Sequence, residues 1–159
     1  MLKKIASFTI NHDILRPGLY VSRQDGDIIT YDLRMKYPNQ GEYLDQAGLH
    51  TLEHLGATFL RSSSFQDQVI YFGPMGCRTG FYLIMRDAVS KPDLLDLLQN
   101  TFRFIAQFEG KIPGTLPREC GNYREHNLEN AKAEAAQYLT VLEQCTEQTF
   151  SYPEESSCV

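Results

Sequence analysis

The sequence has no uninterrupted apolar run approaching the ~18 residues of a membrane span, and Met1-Leu2-Lys3-Lys4 is not followed by the apolar core of a secretory signal. It also lacks a C-x-x-C pair, a G-x-G-x-x-G run, an internal repeat and a basic stripe. Each absence removes a class of protein. Without a span or a leader, the chain reads as cytoplasmic and no membrane partner is expected. The net charge of −5, with no clustered Lys and Arg, argues against nucleic acid and for a small-molecule substrate. The missing glycine fingerprint gives no reason to expect a nicotinamide or flavin, and no organic cofactor is expected. Cys77, Cys120, Cys145 and Cys158 are far apart; in a cytosolic setting they read as buried, ligating or catalytic thiols rather than disulfides.

What is present is the composition of a folded domain: 159 residues, 42% hydrophobic and 22% charged. That length buries a core without staples. One domain over residues 1–150 is expected, with a frayed tail at 151–159. After the short alternating run Ile5 to Ile10, Leu19-Tyr20-Val21 and Ile28 to Met35 read as strands joined at Asp25-Gly26, a strong hairpin signal. Ile29, Tyr31, Leu33 and Met35 share one strand face, and Thr30, Asp32 and Arg34 share the other, expected to be solvated. A second hairpin follows, from Gln68 to Phe72 and from Thr79 to Met85. Helical patterns occupy about Asp45 or Gly48 to Arg61, a stretch after the Ser90-Lys91-Pro92-Asp93 cap that ends before Gly110, and a last stretch through Leu128, Ala131, Ala135, Tyr138 and Leu142. The fold class is α+β: an antiparallel sheet of four or slightly more strands with three main helices packed on one face, a two-layer sandwich.

The helix over Gly48–Leu55 carries the chemistry. His50 and His54 stand four residues apart, one turn on the same face, so both rings can aim a nitrogen at one ion. Glu53 lies close to that face and can serve as general base. The ordinary alternative is a pair of core or surface histidines among Leu49, Leu52 and Leu55. A catalytic site needs a third protein ligand and an open position. Cys120, delivered by the loop Ile112-Pro113-Gly114-Thr115-Leu116-Pro117, is the first candidate, and His12, Glu119 and His126 are the others. Cys77, in the tight turn Gly73-Pro74-Met75-Gly76-Cys77-Arg78, has the surroundings of a thiol with a lowered pKa. Cys145 continues the apolar stripe of the last helix and reads as core, and Cys158 as an inert tail residue.

His50-Thr51-Leu52-Glu53-His54-Leu55, Gly73-Pro74-Met75-Gly76-Cys77-Arg78-Thr79-Gly80-Phe81-Tyr82 and Glu119-Cys120-Gly121 together resemble the S-ribosylhomocysteine lyase family, known as LuxS. Ser7-Phe8-x-x-x-His12 and Tyr31-Asp32-Leu33-Arg34 match its pattern too. The resemblance runs in register from about residue 5 to 145. It implies an enzyme of the activated methyl cycle that splits S-ribosyl-L-homocysteine into L-homocysteine and 4,5-dihydroxy-2,3-pentanedione, the autoinducer-2 precursor. It further implies His50, His54 and Cys120 as metal ligands, Glu53 and Cys77 as the acid/base pair, and Ser7, His12, Arg34 and Arg78 as substrate-binding residues. One divalent metal per subunit is implied, Fe(II), with Zn(II) or Co(II) able to substitute. So is a homodimer with the active site at its interface. Asn11 and Tyr71 depart from the family pattern, which often has acidic residues at those places.

Two other readings fit the helix motif. An inverted H-x-x-E-H metallopeptidase would need a carboxylate as third ligand. A structural-metal binding module would close the site with a fourth protein ligand, from His12, His126 or Cys77.

Overall fold

The computed structural model describes residues 1–155. The alternating segments form the sheet. Gly18–Asp25 (β1) and Ile28–Arg34 (β2) pair as a hairpin with Asp25 opposite Ile28. Val69–Pro74 (β3) and Gly80–Arg86 (β4) make a second hairpin, and β2 pairs with β4. The order is β1-β2-β4-β3, antiparallel throughout.

The helices are Gln46–Arg61 (α1), Lys91–Ala106 (α2) and Leu128–Leu142 (α3). Each begins where a side chain satisfies an orphan amide: Asp45 accepts from Gly48 N, Ser90 from Asp93 N and Asn127 from Asn130 N. Leu33, Phe81 and Leu83 of the sheet and Leu52, Leu94 and Phe102 of the helices are fully buried in one core. This is the expected α+β sandwich. Truncating a residue such as Leu52 to Ala is expected to cost about 2–5 kcal/mol, through lost burial and the cavity left behind. No helix among the described residues is long and apolar enough to cross a membrane.

Three details differ from a pattern-only reading. Residues Ala6–Phe8 of the first alternating run form a 3-10 turn closed by local bonds, Phe8 N to Ile5 O and Thr9 N to Ala6 O. Cys145 lies past the last residue of α3, half-buried, with its thiol donating to Val141 O at 3.4 Å. Burial pushes that thiol up.

The third concerns the strand face expected to be solvated. Asp32 is 0% and Arg34 2% exposed. They satisfy each other through two hydrogen bonds, Arg34 Nη2 to Asp32 Oδ2 at 2.6 Å and Arg34 Nε to Asp32 Oδ1 at 3.1 Å. A buried ion pair is tolerated when its hydrogen-bonding capacity is met in this way. The chain end helps to cover it. A 3-10 helix, Glu147–Phe150, buries Phe150, and Tyr152 stacks on Tyr20 with ring centroids 4.9 Å apart. Ser151 to Glu155 have no regular secondary structure. Cys158 lies outside the described residues.

A candidate metal centre and a second thiol

Helix α1 presents His50 and His54 one turn apart, and the loop from α2 to α3 closes over them. His50 Nδ1 lies 2.8 Å from the Glu125 carbonyl oxygen, and His54 Nδ1 lies 2.8 Å from that of Pro113. A carbonyl only accepts, so both Nδ1 atoms carry the proton and both Nε2 atoms keep a lone pair. That is the tautomer a metal ligand needs. Cys120 Sγ is 3.4 Å from His50 Nε2.

The cluster has a fourth member. The ligand atoms of His50, His54, Cys120 and His126 all lie within 4.8 Å of one another. The His126 ring stacks on His50 at 4.1 Å and meets His54 at 4.8 Å between centroids. Its Nδ1 is 3.1 Å from Thr51 Oγ1. Thr51 donates its single proton to Ala47 O at 3.0 Å, so His126 Nδ1 is the donor in that contact. His126 Nε2 is left buried without a partner. Burial, then the neighbouring His50 and His54, hold its pKa down at about 4. Three imidazole lone pairs and one thiol, with a buried nitrogen unpaired, are a donor set that fits a divalent ion of the Fe(II), Co(II) or Zn(II) kind.

Two contacts bring the loop to the helix. Thr51, 0% exposed on the turn between the histidines, accepts from Asn127 N at 3.0 Å while Ala47 O accepts from the same amide at 3.2 Å. Gly114 has φ +74°, and a Cβ there would stand 3.0 Å from His54 Nδ1. Glycine is thus required both by the left-handed backbone and by the approach to the ring. At the start of α1, a Cβ on Gly48 would stand 1.8 Å from Asn130 Oδ1, which accounts for the glycine where α3 crosses.

Glu53 is half-buried on α1 between the two histidines. Cys77 belongs to a second group. Its exposed thiol is 3.1 Å from Thr79 Oγ1, which accepts from Arg34 Nη1 at 2.8 Å. The turn is anchored on three sides: Arg78 N to Met75 O, Met35 N and Lys36 N to Thr79 O, and Leu44 N to Arg78 O. Arg78 itself has φ +59° and donates from Nη1 to Leu44 O at 3.1 Å, with its guanidinium 5.8 Å from the centre of the Tyr43 ring. These contacts hold Cys77 and Arg78 without an acidic residue at position 71. Tyr71 is exposed, its phenol lying across the face of Gly73.

Ser7 and His12 stand in the N-terminal segment, where His12 Nδ1 donates to Ile10 O at 2.9 Å, and neither is in the His/Cys cluster. Sequence reasoning gave no role to Thr51, Thr79, Asp32 and Tyr152, although the first three lie inside the motifs it singled out. A surface cavity of about 610 Å³ bounded by Arg16, Tyr20, Lys36, Gln137 and Cys145 holds none of the predicted site residues.

Fold and cluster together define a class: small α+β proteins in which a two-histidine helix and a cysteine-bearing loop bring together residues that could hold a metal. Residues 5–149 match the family model for S-Ribosylhomocysteinase (LuxS). The chain is 46% identical over 158 residues to a Clostridium acetobutylicum protein named S-ribosylhomocysteine lyase, covering 96% of this chain and 100% of that one. Proteins of the same name from Desulfotalea psychrophila and Porphyromonas gingivalis strain W83 are 52% and 51% identical, over 96% of this chain and 99% and 100% of theirs. The chain belongs to the S-ribosylhomocysteine lyase (LuxS) family.

Proposed function

We propose that this protein is a metal-dependent carbon–sulfur lyase that converts S-ribosyl-L-homocysteine into L-homocysteine and 4,5-dihydroxy-2,3-pentanedione. The observation that carries the reading is the convergence of His50, His54 and Cys120, with both histidine Nδ1 atoms engaged by backbone carbonyls and both Nε2 lone pairs turned to the cluster, in a chain whose full-length relatives bear this activity in their names. His50, His54 and Cys120 would hold one divalent ion, Fe(II) in the native state with Zn(II) or Co(II) able to replace it. Such an ion supplies a Lewis acid beside the sugar carbonyl.

The remaining chemistry falls to the chain's own groups. The ribose carbonyl must move from C1 to C2 to C3, and each shift takes a proton from one carbon and returns one to its neighbour. Glu53, on the helix face of the histidines, takes and returns protons on one side of the sugar chain. Cys77 does so on the other, its thiol 3.1 Å from Thr79 Oγ1, which in turn accepts from Arg34 Nη1. With the carbonyl at C3, loss of a proton expels the homocysteine thiolate in a β-elimination. Substrate and products balance without oxidant or water.

Ser7, His12, Arg34 and Arg78 form the substrate-binding set in this reading, Arg34 acting from behind the thiol. Ser7 and His12 serve the partner subunit's site in a homodimer. The exposed Ile5, Phe8, Ile70 and Tyr71 are apolar surface available to such an interface. Residues 1–150 act as one lyase domain in the cytoplasm, feeding the activated methyl cycle and autoinducer synthesis. The peptidase reading lacks its carboxylate ligand, since the cluster holds a thiol and imidazoles.

The test is release of free thiol from S-ribosylhomocysteine by anaerobic Fe(II)- or Co(II)-loaded protein, with Glu53→Gln and Cys77→Ala as variants. Release by the wild type alone, with metal retained in Glu53→Gln, is expected. No release from fully metallated wild type would overturn the assignment in favour of a closed binding module.

A further inference from the structure

The C-terminal segment ends in a hydrogen-bonded path to the Cys77 thiol. Tyr152 donates its hydroxyl to Asp32 Oδ2 at 2.7 Å. Asp32 accepts from Arg34 through both carboxylate oxygens, Arg34 Nη1 donates to Thr79 Oγ1, and Thr79 Oγ1 stands 3.1 Å from Cys77 Sγ. Because Thr79 oxygen accepts from a guanidinium, its own proton is free to point at the sulfur. Every group between the thiol and Tyr152 is nearly removed from water: Thr79 is 3%, Arg34 2% and Asp32 0% exposed.

From this geometry we infer that Tyr152 is a positioning residue for the Cys77 thiolate, acting through Asp32. The inference rests on the reading of Cys77 as an acid/base group. The Asp32 carboxylate has two opposed effects. It orients the guanidinium, yet its negative charge disfavours a thiolate nearby. A third donor on Asp32 Oδ2 offsets part of that charge and leaves more of the Arg34 field to the sulfur. The phenol is suited to this, since burial and the Asp32 charge raise its pKa, keeping the proton on oxygen as the donor. The other groups around the thiol are Arg78, next in the turn, and the phenol of Tyr82, paired in register with Asp32 on β4. Neither contacts Asp32 Oδ2 in its place.

The segment is held at two further points. The Tyr152 ring stacks on Tyr20, and Asn11 Nδ2 donates to Glu155 Oε1 at 2.5 Å. An Asp at position 11 would set two carboxylates against each other in place of this hydrogen bond. The same contact ties the chain end to the segment carrying His12.

The test is the rate at which iodoacetamide alkylates Cys77 in metal-loaded protein across pH 5–9, read by mass spectrometry of the Cys77 peptide. Tyr152→Phe keeps the ring on Tyr20 and removes only the donor; Tyr20→Phe is the control, because that hydroxyl bonds Arg16 O instead. Expected in Tyr152→Phe is at least about threefold slower alkylation at neutral pH, with the rate profile displaced toward higher pH. Tyr20→Phe should leave the rate unchanged, and thiol release by Tyr152→Phe should lose kcat with little change in KM. An unchanged alkylation profile in Tyr152→Phe, or the same change in Tyr20→Phe, overturns the inference. Alkylation does not depend on turnover, so a wild type without lyase activity would sink the proposed function and still report on this path.

Discussion

The Pro113 carbonyl oxygen lies 2.8 Å from His54 Nδ1, and that one contact decides which nitrogen of the ring faces the cluster. The loop therefore acts on the His/Cys cluster through helix α1 as well as through Cys120. Gly114 is what lets the loop come that close.

Gly114→Ala should weaken metal binding by roughly 10–100-fold, the usual effect of disturbing a group that orients a ligand. It should also cost about 1–2 kcal/mol for a non-glycine residue held in the left-handed region. Competition with a chromogenic chelator reads the first, and urea unfolding of the apo-protein the second. Unchanged affinity would show that the carbonyl orients nothing.

Thr51→Val is nearly isosteric but removes a hydroxyl that the Asn127 amide and His126 Nδ1 both use. The Asn127 amide keeps Ala47 O, so the loss falls mainly on the half-buried His126 Nδ1 and should cost about 1 kcal/mol. Since the same bonds dock the loop, metal affinity should fall with stability. A loss of stability with native affinity would mean that Cys120 is placed independently of Thr51.

Cys120→Ser and His54→Gln should each abolish stoichiometric metal binding while leaving the far-UV circular dichroism unchanged, since the core does not include them. Glu53→Gln should keep its metal. Metal analysis after gel filtration distinguishes these outcomes; loss of metal from Glu53→Gln would make the carboxylate a ligand rather than a base.

Arg34→Met leaves Asp32 buried with Tyr152 as its remaining side-chain donor. Breaking a buried pair from one side typically costs about 3–5 kcal/mol. The double substitution Asp32→Leu with Arg34→Met should recover part of that, because no buried charge is left uncompensated. Chemical denaturation of the two variants checks the order.

The helix motif, both hairpins and the four-strand, three-helix architecture were legible in the sequence because they rest on local periodicity and short-range signals. His50 and His54 were legible as a pair sharing one helix face for the same reason: spacing on one element fixes them. Cys120 was legible only as one candidate among several, since its approach to α1 depends on a loop whose path no local rule sets. The burial of Asp32 and Arg34 was not legible at all. Alternation states which residues share a face, but not that Tyr152, 120 residues later, covers the second face. Thr51 was missed because a threonine inside a helix usually spends its hydroxyl on the preceding turn, and here it does so while also accepting from the loop.

Cys120 and His50 are separated by 70 residues, and the sheet, α1 and α2 all precede Cys120 in the chain. On the ribosome, the sheet and two helices are complete while the paired imidazoles still lack their thiol. The centre can close only after the final third of the chain has been made and α3 has docked. A metal held by these residues would therefore be captured late, and it would act as a reversible clasp between α1 and the loop. Stripping it should expose Lys111, Arg118 and Arg124 in the clasping loop to trypsin well before the sheet gives way.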